Sequence, residues 1–156
     1  MAEELKLSEQ IAPAFHQTHC DIRDEKYSEF WLKGGRGSTK STFASQQLIL
    51  GLLKDKKANA IVVRKTANTL RGSVLPTLLF AIDKFNKSEK FDHIKSPTEI
   101  TYLPTGQQII MRGLDDPSKL KSIKIRKGYF KILWFVHFYI SSKNKSSSLF
   151  LFLKHI

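Results

Sequence analysis

Apolar and polar positions first organise at "SEFWLK", residues 28–33, a short apolar and aromatic run that predicts a strand. It leads into the glycine-rich "GGRGSTK" and then "STFASQQLILGLLK", where Phe43, Ala44, Leu48 and Leu52 recur at helical spacing. No Gly or Pro interrupts that helix before Gly51. "ANAIVVRK" predicts a second, buried strand, rich in β-branched residues and ending at Arg64. Leu70, Val74, Leu78 and Ile82 then form one apolar stripe of a long helix, and Pro76 within it predicts a kink or a break. "TEITYL" and "QQIIMRG" on either side of "PTG" predict a β-hairpin. A short helix through Ser118 to Ile123 follows, and the strongly apolar "FKILWFV" predicts a central strand.

The pattern changes after that strand. Beyond Asp116 there is no acidic residue, and Lys, Ser, Phe, Leu and Ile crowd the end, with only a weak alternation in "LFLFL". We therefore divide the chain into an N-terminal segment 1–27, an incomplete α/β domain 28–135 and an atypical basic and aromatic tail 136–156, expected to be out of frame or disordered.

Composition adds bounds to this picture. A chain of 156 residues suits one domain, and 41% hydrophobic with 26% charged residues is ordinary for a globular protein. Its charge is not ordinary: 26 Lys+Arg against 14 Asp+Glu leave a formal +12, which favours a polyanionic partner. The single Cys20 excludes an intramolecular disulfide framework and fits a reducing compartment. The acidic, polar start "MAEELKLSEQ" does not read as a targeting peptide, and no apolar run is long enough for a bilayer. A cytoplasmic location without membrane contact is the expectation.

The candidate chemistry lies in "KGGRGSTKST". Gly34 begins and Lys40–Ser41 end the spacing G-x-x-x-x-G-K-[ST], with Thr39 where a glycine is usual. A strand, such a loop and a helix present successive backbone N–H groups and a positive helix terminus to an anion. Residues 34–42, namely Gly34, Gly35, Arg36, Gly37, Ser38, Thr39, Lys40, Ser41 and Thr42, are the expected nucleotide-binding set. Lys40 would reach the β/γ-phosphates of ATP and the Ser41 hydroxyl would be a ligand of Mg²⁺. Arg36 is either a charge stabiliser for phosphoryl transfer or a solvated arginine. Thr39 is the weak point: forced to positive φ it costs of order 1–3 kcal/mol, whereas at negative φ its N–H still serves phosphate cheaply.

"WLKGGRGSTKSTF", "IVVRKTANTLRGSV", "GLDDPSKLKSI" and "GYFKILWF", in this order, resemble the ATPase region of the bacteriophage terminase large subunit over about residues 25–135. Arg36 matches an arginine that such proteins carry inside the loop. The resemblance implies a P-loop NTPase-like three-layer α/β fold with a mainly parallel sheet, here incomplete at its C-terminal side. It also implies an ATP hydrolase that packages double-stranded DNA, partnered by a terminase small subunit and a portal protein, homo-oligomeric at full length and working in the host cytoplasm. A metal-dependent nuclease domain follows in the family, and nothing here is long enough to be one. The resemblance further places two acidic residues directly after the "LWF" strand, where this chain has Val136 and His137. Nucleotide binding is accordingly expected to be weak or absent and hydrolysis impaired, and the chain reads as truncated or frame-shifted near residue 135.

Other readings stay open. One is a basic nucleic-acid-binding module, or an inactive remnant without ATPase activity; a small-molecule kinase is disfavoured for want of a lid. Asp115 and Asp116, followed by Pro117, read better as a turn than as metal ligands. His16, His19 and Cys20 lack a second ligand pair at zinc spacing. Arg64 and Arg71 are candidates for contacting nucleotide or a neighbouring subunit. Lys119, Lys121, Lys124, Arg126 and Lys127 form either a DNA-tracking cluster or a solvated face.

Overall fold

The computed structural model describes residues 6–35, 37–115, 123, 128–137 and 146–153, the strands of the last two ranges through backbone and register only. The chain opens with a short helix α1 (Leu7–Gln10), a 3₁₀ turn and helix α2 (His16–Arg23). Strand β1 (Glu29–Gly35) leads through the glycine loop to α3 (Lys40–Lys54), and β2 (Ala58–Arg64) follows. A π turn (Leu70–Val74) opens into α4 (Leu75–Lys84), after which come β3 (Phe91–Lys95), β4 (Thr98–Tyr102), β5 (Gln107–Gly113), β6 (Tyr129–His137) and β7 (Ser146–Leu153).

The strands form one open sheet in the order β1-β7-β6-β2-β5-β4-β3. Strand β2 pairs in parallel with both β5 and β6, whereas β1–β7, β6–β7, β3–β4 and β4–β5 are antiparallel. By these pairings β1, β6, β2, β5 and β3 run one way, and only β7 and β4 run the other. The fold is α/β as the sequence predicts, with a mixed sheet. The β3–β4 and β4–β5 ladders are antiparallel because the connections between those strands are too short for a crossover.

Strand β7 bears on one expectation. Ser146–Leu153, within the tail expected from sequence to be out of frame or disordered, forms a strand between β1 and β6. The alternation in "LFLFL" matches the two-residue period of a strand, and the gap between β1 and β6 offers two edges to pair with. Strand β3 is a further element that the hydrophobic pattern missed, since it is an edge strand with mostly exposed side chains.

Alternate residues of the sheet meet the helices in a single core. Phe30, Leu32, Ala60, Val62, Ile100, Ile109 and Met111 share it with Phe43, Leu48 and Leu52 of α3 and Leu78 and Ile82 of α4. The register, with Ala60 opposite Ile109 and Val62 opposite Met111, places these side chains on one face of the sheet. Of the three expected layers, the described residues therefore supply the sheet and one helical layer. The stripe Leu70, Val74, Leu78 and Ile82 is buried as predicted, and the break falls just before Pro76, which occupies the first turn of α4. There its missing N–H costs no helical bond, and the wide π turn precedes it.

The N-terminal segment packs on α3. Phe15 stacks on Phe43 at 4.5 Å between ring centroids, and Gln46 Nε2 donates to Gln10 O at 2.8 Å. His19 Nδ1 bonds Gln47 Oε1 at 2.8 Å, and His16 Nε2 bonds Ile11 O at 2.9 Å. These histidines thus join the segment to itself and to α3. No described helix is long and apolar enough to cross a membrane.

Candidate anion site at the strand ends

Strands β1 and β2 end on the same side of the sheet, and their exits face each other across a cavity of about 710 Å³. One wall is the loop after β1 with the first turn of α3: Gly35, Gly37, Ser38, Thr39, then Lys40, Ser41 and Thr42. The first-turn N–H groups of a helix have no carbonyl one turn earlier to bond, so this wall favours negative charge.

The loop settles the alternative left open for Thr39. Its backbone sits at φ 57°, ψ 7°, in the left-handed region, and its side chain makes no capping bond. A β-branched residue is strained there. The chain accepts this conformation because Thr39 must reverse direction and still offer its carbonyl to Phe43 N, at 2.9 Å, as the first bond of α3. Gly37, at φ 82°, supplies the other left-handed turn without that strain.

Lys40 lies folded into the loop. Its Nζ donates to Gly34 O and Gly35 O, both at 2.9 Å, and to Ser38 Oγ at 2.5 Å; Ser38 Oγ donates in turn to Gly35 O at 2.8 Å. At Gly34 a Cβ would lie 3.2 Å from Ser38 Oγ and 3.4 Å from Lys40 Nζ, so the absence of a side chain lets the loop close around the ammonium. Lys40 is only 6% exposed, and burial pushes its pKa below the ordinary lysine value.

The facing wall comes from the exit of β2 and the π turn: Arg64, Asn68, Thr69, Gly72 and Ser73. Arg64 Nη1 donates to Thr69 O at 3.0 Å, and burial lowers the guanidinium pKa. The turn reaches this position over Gly113, the register partner of Arg64 on β5, where a Cβ would stand 2.6 Å from Ala67 N. Among the described lining residues the only charges are Lys40 and Arg64, both cationic.

The sequence-derived candidates thus divide. Gly35, Gly37, Ser38, Thr39, Lys40, Ser41, Thr42 and Arg64 converge on one cavity, and Gly34 supports it from behind. Arg71 is exposed on the turn and does not line it. Val136 of β6 is in register with Arg64, and His137 ends the strand. Arg36, Asp116, Lys119, Lys121, Lys124, Arg126, Lys127 and the helix predicted through Ser118 lie outside the described residues, and Asp115 is exposed. Asn68, Thr69 and Ser73 were missed by the sequence reading. Their signal was the polar run "TANTLRGS" directly after a strand, the place where α/β sheets bind ligands. A second cavity, of about 330 Å³, lies across Thr39 and Thr42 from the first, with Ile11, Pro13, Phe43 and Phe80 among its walls.

Residues 26–155 match the family described as phage terminase large subunit. The chain is 36% identical over 132 residues to the terminase large subunit of Bacillus phage SPP1, covering 85% of this chain and 31% of that protein. It is 32% identical over 93 residues to the PBSX phage terminase large subunit of Bacillus subtilis (strain 168), covering 60% of this chain and 21% of that protein. The chain thus spans under a third of the length of these curated relatives.

Proposed function

The chain belongs to the phage terminase large subunit family, and from that premise we propose that it is the ATP-binding part of a DNA-packaging motor in which hydrolysis is impaired. The observation that carries this reading is the cavity in which the first turn of α3, Lys40 and Arg64 face a common space. Such a cavity suits a polyphosphate, since backbone N–H groups, a helix terminus and two cations all favour oxyanions.

The donor set fits Mg²⁺ arriving with phosphate. Ser41 offers an exposed hydroxyl on the cavity wall, and Mg²⁺ commonly keeps several waters beside one side-chain oxygen and phosphate oxygens. When bound, the ion would neutralise charge on the phosphates. No carboxylate stands at 136 or 137, the positions where the family resemblance places an acidic pair. Position 136 pairs in register with Arg64 beside the cavity, so valine there leaves no carboxylate where the resemblance implies one supporting Mg²⁺, and His137 stands where it implies one positioning the attacking water. The second cavity, whose walls combine Ile11, Pro13, Phe43 and Phe80 with polar Gln10 and Gln46 and charged Glu9 and Lys84, could take a base continuing past Thr42. Double-stranded DNA, a terminase small subunit and a portal protein are the partners this reading assigns, and the host cytoplasm its location.

Titration calorimetry of Mg²⁺-ATP into the chain, with phosphate release followed in the same samples, tests the reading. We expect binding that Lys40→Ala weakens by at least about tenfold, the scale of one lost charge-assisted interaction, and little hydrolysis. Absence of binding in a folded sample would reject the nucleotide reading, and brisk hydrolysis would reject the importance of the missing acids. The formal charge of +12 favours a second reading, a module gripping nucleic-acid phosphates. Salt-dependent duplex binding that Lys40→Ala leaves unchanged, without ATP binding, would support it.

A further inference from the structure

We propose that the outer edge of β3 is a strand-pairing surface for a second copy of this chain, and that the Asp92 carboxylate holds it shut. Strand β3 is the last strand of the sheet, with β4 on one side and no described strand on the other. Its residues from Asp92 to Lys95 are exposed, Ile94 among them at 45%.

The ladder fixes which backbone groups face outward. Leu103 N donates to Lys90 O at 2.9 Å, which makes Lys90 and Leu103 a hydrogen-bonded pair at the head of the β3–β4 register. Such pairs alternate along an antiparallel ladder, so Asp92 and Ile94 turn their N–H and C=O toward β4. Phe91, His93 and Lys95 turn theirs to the open side. A second observation agrees: His93 N donates to Asp92 Oδ1 at 2.8 Å, a bond to its own neighbour in place of one to β4.

This edge is self-complementary in one register. A two-fold axis normal to the sheet keeps every side chain on its own face, so it pairs only residues that share a face. Centred on His93, it sets His93 against its own copy and Phe91 against Lys95, the residues whose backbone groups face outward. Two chains then share one continuous antiparallel sheet. In this register Lys95 meets an aromatic side chain and not another cation, beside the Phe91–Tyr102 contact at 4.8 Å between ring centroids.

Asp92 opposes that pairing twice. Its carboxylate occupies the N–H of His93 at the centre of the register, a donor that the pair needs from each chain. It also stands opposite Ile94 of the copy, which brings the two Asp92 carboxylates to diagonal positions on one face, where like charges repel. An edge with unpaired backbone groups joins another unless a charge or a local bond prevents it, and here one residue supplies both.

The test is sedimentation velocity over a concentration series on the full chain and its variants, with thermal melting of each. Asp92→Ala frees the N–H and removes the charge, and we expect it to form dimers at least about tenfold more tightly than the unaltered chain. Asp92→Asn keeps an acceptor for His93 N–H without the charge and should fall between the two. Adding His93→Pro to Asp92→Ala removes the outward donor, and proline is tolerated on the open side of an edge strand, so association should return to the level of the unaltered chain. Where the proline variant does not fold, Asp92→Lys takes its place: it lacks the acceptor but restores like charges across the axis, and should associate less than Asp92→Ala. Equal association of Asp92→Ala and the unaltered chain, association that proline leaves in place, or Asp92→Lys associating as tightly as Asp92→Ala would overturn the inference. Strand β3 lines neither cavity, so this outcome is independent of the nucleotide reading.

Discussion

The two ends of the sheet bury polar groups for opposite purposes. At the end where β2 and β5 begin, Gln107 is 3% exposed, and its Nε2 donates to Leu52 O, Asp55 O and Ala58 O at 3.1, 2.7 and 2.6 Å. Its Oε1 accepts from Thr105 Oγ1 at 2.6 Å, and Asn59 Oδ1 accepts from Gln108 N at 2.8 Å. One side chain there fastens the end of α3 and the start of β2 to the hairpin. At the opposite end the buried polar groups are cations on facing cavity walls. Burial alone therefore does not distinguish framework from site. Both sets bond the chain's own backbone; what sets the two cations apart is that Lys40 and Arg64 also line a cavity.

This contrast can be broken by substitution. Gln107→Leu keeps the volume but strips three carbonyls of a donor, and we expect a loss of about 3 kcal/mol in unfolding free energy, read by denaturant titration. ATP affinity of the folded fraction should be unaffected; a loss below 1 kcal/mol would mean that those carbonyls find other partners. Gly113→Ala acts at the other end. Its Cβ would press on Ala67 N at 2.6 Å and on the Asp115 carboxylate, so a cost of about 2 kcal/mol is expected from overpacking. Here the displaced turn carries Asn68 and Thr69, so affinity should fall together with stability.

Other changes sharpen the contrast on the site side alone. Thr39→Gly removes the strain at φ 57° without losing a capping bond and should stabilise the chain by about 1 kcal/mol, seen as a raised melting temperature. A destabilised variant would show that the threonine side chain holds the loop in a way its bonding does not reveal. Ser38→Ala takes one of three acceptors from Lys40, and a loss of about 0.5 kcal/mol in stability is expected, with phosphate affinity rising because the ammonium is less firmly held. Calorimetry on the two variants separates these effects.

The pH dependence has a definite sign. The pKa of Lys40 is lowered in the fold by burial, so its charged form is disfavoured there relative to the unfolded chain. Stability should therefore rise with pH from the lowered value toward the ordinary lysine range, and this gain should be missing from Lys40→Met. Anion binding favours the charged form, so affinity should fall over the same window. Binding that is flat through that window would place the phosphate away from Lys40.

Most elements were legible because their signals are local. The helical spacing of Phe43, Leu48 and Leu52, the β-branched run ending at Arg64 and the turn at Gly106 each report on neighbouring residues. The loop was legible for the same reason, since the glycine-rich turn between β1 and α3 is contiguous in sequence. Strand β3 escaped because an edge strand need not alternate, and β7 because one of its two partners, β1, lies far away in the chain. Asn68, Thr69 and Ser73 escaped because polar residues after a strand gain meaning only when something stands opposite them.

By itself, then, the amino-acid sequence determined the α/β class, the order of most elements, the loop from Gly34 to Thr42 and the absence of acids at 136 and 137. Tertiary structure decided the rest. Strand pairing put β7 between β1 and β6, the reversal into α3 drove Thr39 to positive φ, and the π turn over Gly113 brought Arg64 to face Lys40. The physical reason is range: backbone preference and side-chain period act over a few residues, whereas strand order and a shared cavity depend on contacts between segments that the sequence separates.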